Sequence, residues 1–568
     1  MSAEFNDEGT GESAMRVRMR IRQQCVLLGL AMLLTAACSS TKNCPTCGTD
    51  KNGTTTIIDI IPVPEHNPTG EPGGPFNSFD TSWVDPVNHR FYVSDRIGLD
   101  VVVVDSVHDL AVSAIGGANG VAEAGNNASA CAAAIPPLLT ALGNFTRFGC
   151  RTQTFALPGF GANGLFGGFP GAQCCAARAN GVNPLSGPDG ETVTPDGKTL
   201  FSGNGSSSVV AFDLTTNPPT VIADIPTGQS PDYDGPVGIA PCIASASGRA
   251  FADPTCGDLR ADEMGYDAKD QVLAIVNGDP GLPFVTFIDV SGVVNRTSNC
   301  LAVNPNAPYG PTNFPTCIIG QIYYDGASDN PNVPVDTIDA PCPDPSNFFD
   351  AANTHPVPTG VSGVGVGAGG KNVPCHHGPI SPAGLGGPVW NPNTGHFLLP
   401  NSNSSGDLTV GSIDDIDMRL GNPNGPVIVN HFLVSNCMPT SIVQGPGNNF
   451  LVGCADHDGE AFPPNEYVID GTTGNILADI PYVGGVDEVW YNPGDNRYYV
   501  AARDMPNGPV LGVIDAGSNL WLLNVPTNTN SHSVAVDPSN NHVFVPMQAG
   551  AQCTTQSANG CIAVYAAQ

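Results

Sequence analysis

The chain repeats itself. A short β-rich run, an Asx/Pro/Gly turn and a second β-rich run recur seven times along its 568 residues. The copies span Trp83–Val93, Val193–Phe201, Met264–Ile275, Val389–Leu398, Ile442–Val452, Val489–Val500 and Val534–Val545. Each sets φ-restricted Pro or φ-permissive Gly and Asn between runs rich in Val, Phe and Tyr, the chemistry of a tight hairpin. Several copies lead into a second hairpin: Ser208–Leu214 into Val221–Ile225, Tyr467–Asp470 into Ile476–Ile480, and Val510–Asp515 into Leu520–Val525. Four strands per unit, at a spacing of about 45 residues, mark the blade of a propeller.

The two ends predict how the ring closes. The last copy has one further strand, Cys561–Tyr565, and so is one strand short. Thr54–Pro62 near the other end reads like the fourth strand of another blade, Ile476–Pro481. An N-terminal strand that completes the final blade removes both exposed edges. The expected fold is therefore an all-β, seven-bladed β-propeller over residues 54–568. Composition agrees, with 68 Gly, 53 Pro, 41% hydrophobic and only 13% charged residues. Two stretches leave the pattern: 118–186, rich in Ala, Gly and Cys, and 291–385, rich in Pro, Asn and Gly. They are expected to be disulfide-containing insertions that emerge from blade connections and cover one mouth of the ring.

The phrases Ser533–Pro538, Tyr467–Pro481 and Phe91–Asp95 resemble the YVTN-type β-propeller repeat family and, more loosely, the seven-bladed lactonase-like propellers. The resemblance covers 54–117, 187–290 and 386–568. It implies the fold. For activity it implies two kinds of protein, extracytoplasmic propellers without known catalysis and lactone-cleaving enzymes, because one fold hosts many functions.

The N-terminus carries an address. Arg16, Arg18, Arg20 and Arg22 precede an apolar run, Val26–Leu34, and the small residues Thr35, Ala36 and Ala37 lead into Cys38. Basic flank, short apolar stretch and small-residue cleavage site read as an export signal, too short to span a bilayer. The segment resembles a bacterial lipoprotein signal, which implies lipidation at Cys38. Thr35 stands where Leu is usual, so simple cleavage before Cys38 is the alternative. Residues 1–15 read as an over-extended start, with Met15 or Met19 as the initiator. The expected plan is a signal peptide at 1–37, a polar tether at 38–53, and a location at the cell envelope (periplasmic or cell-surface) or outside the cell. Membrane contact runs only through the anchor.

Cysteine usage points the same way. Of 18 Cys, Cys25 lies in the leader and Cys38 at the cleavage point, leaving an even number for an oxidising compartment. Cys437 and Cys454 flank a turn almost symmetrically, as partners across a hairpin do. Four further pairs are similarly close candidates: Cys242 with Cys256, Cys300 with Cys317, Cys342 with Cys375, and Cys553 with Cys561. A net charge of −32 excludes a nucleic-acid partner, which needs a basic face.

Six residues before each turn Pro, near the start of each innermost strand, the copies read Asp80, Asp189, Asp262, Gly386, Thr440, Asp487 and His532, with Ala268 in place of Pro in the third. Asp80, Asp189, Asp262, Asp487 and His532 converging on the axis make a hard-cation site for Ca²⁺ or an acid/base site. The bland alternative is a solvated acidic ring. Glu191, Glu263 and Glu488 are neighbours that a one-residue slip would present instead. His376 and His377, beside Cys375, are secondary metal candidates without a second ligand cluster. Gly365–Lys371 imitates a nucleotide loop, yet Asn372 replaces the metal-binding hydroxyl and no helix follows. The leading expectation is a binding module for a protein, glycan or small-molecule ligand at the envelope. The rival is a metal-dependent lactonase-like or lyase-like enzyme at the axial mouth.

Overall fold

The computed structural model describes residues 55–63, 76, 78–96, 100–116, 188–204, 208–217, 219–227, 261–278, 283–300, 317–324, 364–366, 372–381, 384–404, 409–421, 425–455, 463–553 and 560–567. The signal-peptide, Cys38 and tether expectations lie outside them, as do residues 118–186. The expected pair of Cys242 and Cys256 also lies outside the described residues, so no bond between these two cysteines is assigned. The expected pair of Cys342 and Cys375 is in the same position, because Cys342 and the side chain of Cys375 are not described. The backbone of His376 and His377 is described, as part of a strand, but their side chains are not.

Seven sheets form seven blades, and the four blade strands of each run antiparallel. Counting from the N-terminus, β1 is Thr55–Pro62. Blade 1 is β2 (Phe79–Asp85), β3 (Arg90–Asp95), β4 (Asp100–Asp105) and β5 (Leu110–Gly116). Blade 2 is β6 (Pro188–Val193), β7 (Thr199–Asn204), β8 (Ser208–Asp213) and β9 (Thr220–Pro226). Blade 3 begins with β10 (Met264–Asp267), β11 (Val272–Asn277) and β12 (Phe284–Asp289). A short helix α1 (Ser291–Val294) follows, and β13 (Ile318–Tyr323) is the fourth strand. Two further strands, β14 (Val364–Val366) and β15 (Asn372–His377), extend this sheet to six, in the order β10-β11-β12-β13-β15-β14. Blade 4 is β16 (Val389–Asn391), β17 (His396–Asn401), β18 (Val410–Asp417) and β19 (Val427–Ser435). Blade 5 is β20 (Met438–Gln444), β21 (Asn449–Ala455), β22 (Glu466–Asp470) and β23 (Ile476–Ile480). Blade 6 is β24 (Val486–Asn492), β25 (Arg497–Ala502), β26 (Val510–Asp515) and β27 (Leu520–Pro526). Blade 7 is β28 (Ala535–Asp537), β29 (His542–Met547), β30 (Cys561–Ala567) and, from the other end of the chain, β1.

The closure expected from the sequence is present. β1 pairs antiparallel with β30 from Thr55 opposite Ala567 to Pro62 opposite Cys561. One expectation changes. Part of the stretch 291–385 belongs to the blade, because β13 supplies the outer strand that blade 3 needs and α1 docks back on the ring. Just past α1, Arg296 pairs with Asp213 of blade 2 at 3.0 Å and holds that carboxyl down at about 2.

The recurring Asx-Pro turns do two jobs. The Asx side chain accepts the backbone N–H two residues on, as in Val87 to Asp85 (2.8 Å), Asn393 to Asn391 (3.0 Å), Gly494 to Asn492 (3.0 Å) and Ser539 to Asp537 (2.9 Å). Several of the same groups also tie one blade to the next. Asn492 donates to Asn541, and Asp537 accepts from Ser106. Each inner hairpin then turns back through a left-handed residue, His89, Gly197, Gln271, Gly395, Gly447, Asn496 or Asn541, with φ between 52° and 78°. That is why Gly and Asn recur at the hairpin tips.

The core lies between the blades. Phe91, Val93 and Val104 of blade 1 pack on Phe544, Ile562 and Val564 of blade 7, with the Phe91 and Phe544 rings 4.9 Å apart. Each such buried side chain contributes about 1.5–3 kcal/mol, so a blade gains most of its stability from its neighbours.

Three of the five expected cysteine pairs fall among the described residues and all three are joined: Cys300–Cys317, Cys437–Cys454 and Cys553–Cys561, with Cα separations of 5.6, 4.9 and 5.7 Å. Cys437–Cys454 closes a separation of 17 residues across the β20–β21 hairpin, inside the buried core of blade 5. Loop-closure entropy puts its contribution at about 3 kcal/mol. A Cys437→Ala/Cys454→Ala variant is expected to lose about that much in equilibrium urea unfolding, and an unchanged midpoint would show the bond to be idle.

Candidate functional site: the axial channel

The innermost strands meet around the axis through hydrogen bonds between neighbouring blades. Glu191 N donates to Thr81 Oγ1 (3.2 Å), Gly190 N to Asp262 O (3.1 Å), Gly387 N to Thr440 O (3.0 Å) and Thr440 Oγ1 to Val486 O (2.8 Å). Ser82 and Ser533 hydroxyls meet at 2.8 Å across the join of blades 1 and 7. Two glycines are required by this closeness. A Cβ on Gly190 would run into the Asp262 carbonyl, and one on Gly386 into that of Thr440.

Regular strands turn consecutive side chains to opposite faces, but these strands are bulged at their inner ends. The ladder slips between Phe79 and Ser82, Pro188 and Glu191, Pro439 and Ser441, and Val486 and Glu488. In blade 3 both Asp262 N and Glu263 O bond to Val276. Both sets of carboxylates therefore serve the axis, the Asp set at the mouth and the Glu set one level further in. The sequence posed them as alternatives.

At the mouth, Asp80, Asp189 and Asp262 each place a carboxylate oxygen within 4.8 Å of the others, with residue exposures of 6, 0 and 8%. His532 Nε2 lies 3.8 Å from Asp80. Its Nδ1 donates to Asn530 O at 2.8 Å, and its ring stacks on Phe79. The structure thus brings four of the five expected residues together. Asp487, the fifth, is engaged by Arg503 at 2.8 Å, though its charge still reaches Glu263 and Glu488.

A cation from the protein itself already stands in this cluster. Arg96, only 5% exposed, bonds Asp189 through Nε at 2.8 Å and Asp80 through Nη2. Its guanidinium takes carboxylate oxygens that a divalent ion would need, and its fixed charge repels such an ion. The donor set fits an ion-pair network better than an open metal centre.

Further in lies a cavity of about 390 Å³. Glu191, Glu263 and Glu488 line one end with Ser82 and Ser441. Trp83, Trp390, Trp490, Tyr266 and Tyr491 line the end towards the Asx-Pro turns. The Trp83 and Trp490 rings meet edge to face, 5.2 Å apart. Three of the four Trp in the chain are therefore in the channel. Glu191 is 3% exposed. Its Oε1 accepts from Ser94 (2.6 Å) and Ser202 (2.9 Å), while its Oε2 has no hydrogen-bond partner among the described residues.

Burial raises all three Glu well above the ordinary 4.5. The charges of Glu488, Asp262, Asp487 and Asp80 raise Glu263 further, and those of Asp487, Asp80 and Asp262 raise Glu488, with Glu263 acting on Glu488 in the opposite direction. Glu488 and Glu263 stand close enough to shift each other's titration.

Sequence reasoning missed the arginines and the aromatic lining. Arg96 and Arg503 each follow the second strand of their blade, so no alignment of first strands contains them. The tryptophans were in plain view, two or three residues before the turn Pro, but there they read as ordinary hairpin residues.

The class defined here is a seven-bladed β-propeller with an acidic, aromatic-lined axial channel. No family model matches the chain, and no curated protein matches it. Among solved structures it is similar to a chain of the mitotic checkpoint complex, at 11% identity and a TM-score of 0.43 over 92% of this chain and 96% of that one. It is also similar to a chain of Kuenenia stuttgartiensis hydrazine synthase, at 13% identity and a TM-score of 0.43 over 85% and 94%. Neither bears on function. The fold assignment rests on the strand order of this chain.

Protonated Glu488 gives a pH prediction. With its folded pKa raised, the native state keeps a proton that the unfolded chain releases above about pH 4.5. The stability tied to that proton is complete below 4.5 and is lost as pH rises. Gln imitates the protonated acid at every pH. Glu488→Gln is therefore expected to match wild type at pH 4.5 and to exceed it by at least about 1 kcal/mol at pH 8. Calorimetry at both values checks this, and a variant less stable at pH 8 would show the carboxylate to be ionised and wanted.

Proposed function

We propose that this chain is an exported, lipid-anchored β-propeller acting as a binding module at the cell envelope, with its ligand held in the axial channel. The observation that carries the reading is the cavity, which combines converging polar groups with a largely apolar wall that includes three tryptophans, at a volume typical of small-molecule sites. The rigid ring preorganises these groups, so little ordering is needed when a ligand binds. The three disulfides suit an oxidising compartment, and the N-terminal pattern ending at Cys38 supplies the route there. On this reading 1–37 is removed and 38–53 tethers the propeller.

The metal-dependent lactonase-like or lyase-like reading draws on the convergence of Asp80, Asp189, Asp262 and His532. Arg96 weighs against it, because it already neutralises two of those carboxylates.

Two experiments test the proposal. Because the channel holds Trp83, Trp390 and Trp490, a bound ligand is expected to change tryptophan emission. A panel of amines, lactones and oligosaccharides should contain at least one compound that shifts emission and raises Tm. Gln444→Trp, at the aromatic end of the cavity, should abolish that response while leaving the fold intact. Silence from the whole panel would remove the channel from consideration. For the anchor, bacterial expression with labelled palmitate should mark the wild-type chain and not Cys38→Ser, whereas an unlabelled, soluble wild-type product would establish simple cleavage.

A further inference from the structure

We propose that the channel selects a small organic cation, an ammonium head carrying an apolar or aromatic body. This rests on the channel being the ligand site, and adds the chemistry of what enters it.

Three observations converge. First, the two ends of the cavity ask for different parts of one molecule. Glu191, Glu263 and Glu488 offer acceptors at one end, and the faces and edges of Trp83, Trp390 and Trp490 flank the other. Carboxylates attract an ammonium directly, and tryptophan faces attract cationic carbon-bound nitrogen through the ring quadrupole. An inorganic divalent ion would use the first end and gain nothing from the second. A sugar would leave the carboxyls without a charge partner.

Second, Glu191 is 3% exposed, lines the cavity, and keeps Oε2 without a hydrogen-bond partner among the described residues. A buried acceptor without a donor is costly unless a ligand supplies one. A primary ammonium donates to it, a quaternary one offers a matching charge without donating, and an anion does neither.

Third, the cations already near the axis are committed elsewhere. Arg96 is held by Asp80 and Asp189, and Arg503 by Asp487 and Asp504. The groups facing the Glu263–Glu488 pair are otherwise acidic: Asp80, Asp262 and Asp487. Burial and these neighbours raise both carboxyls above the ordinary range. An arriving ammonium favours their charged forms: any proton they carry leaves to water, and no bond to the ligand is made or broken. Affinity for a permanently charged ligand is then expected to rise with pH.

The test uses the full chain with its disulfides formed and four probes of similar shape. These are benzyltrimethylammonium, phenethylamine, neutral 2-phenylethanol and anionic phenylacetate, each titrated by calorimetry and tryptophan emission. Both cations are expected to bind about tenfold or more tightly than the neutral and anionic probes. Benzyltrimethylammonium does not titrate, so its affinity should climb between pH 5 and pH 8 in wild type and climb less steeply in Glu263→Gln/Glu488→Gln, where Glu191 alone of the three still titrates. That double variant should bind it about tenfold more weakly at pH 8. Trp490→Leu should weaken it severalfold at both pH values, which keeps the aromatic end testable if the Gln variant folds poorly. If 2-phenylethanol or phenylacetate binds as well as the cations, or if only non-cationic members of the wider panel bind, the cation proposal falls and the channel stands as a ligand site. If neither these probes nor that panel perturbs the protein, both readings fall together.

Discussion

The pairing of β1 with β30 holds the rest of the structure in place. Seven pairs of residues, from Thr55 with Ala567 to Pro62 with Cys561, join strands more than five hundred residues apart and convert an open row of blades into a ring. An open row would leave two sheet edges and two apolar blade faces without partners. It would also dissolve the site. His532 comes from the segment before blade 7 and Asp80 from blade 1, and they meet only across this join. The same join is bonded at the opposite end of the ring, where Asp537 accepts from Ser106, Asn540 donates to Ser106 O and His542 meets Asp109. Closure is thus specified by backbone pairing at the rim and by side chains at both faces.

What the ring encloses is electrostatically expensive. Bringing carboxylates onto an apolar-walled axis removes water from like charges, and each must find a cation, a donor or a proton. All three solutions occur, layer by layer. Arg96 and Arg503 neutralise the mouth. Ser94 and Ser202 donate to Glu191. Glu263 and Glu488 are pushed towards their protonated forms by burial and by the acids around them. Structural cores seldom retain such groups, because replacing buried ions with apolar side chains is often neutral or stabilising.

How much of this could be read in advance follows from what is local. The hairpins were legible because turn chemistry and strand composition sit within a dozen residues, and the three disulfides visible here span short separations for the same reason. The axial column Asp80, Asp189, Asp262 and His532 was legible because a fixed step from the turn Pro stays in register within each strand. The Glu layer was not, since its orientation depends on bulges that no residue pattern announces. Arg96 was missed because it reaches the axis from a second strand and finds its partners in two blades. β13 was missed because Ile318–Tyr323 is cut off from the rest of blade 3 by a Pro- and Asn-rich stretch that hides the repeat.

The direction of the channel follows from the same connectivity. Each inner hairpin turns at the aromatic end, so Trp83, Trp390 and Trp490 are framed by short, hydrogen-bonded turns. The stretches 117–187 and 228–260 instead join an outer strand to the start of the next innermost strand, which places their attachment points at the carboxylate end. The Arg96 network stands at that end too, between the Glu layer and the mouth. A cation approaching from that side meets the Arg96 guanidinium set among Asp80, Asp189 and Asp262. One approaching from the turn side meets aromatic faces first and carboxyls last, an order that desolvates the body of a ligand before its charge is matched.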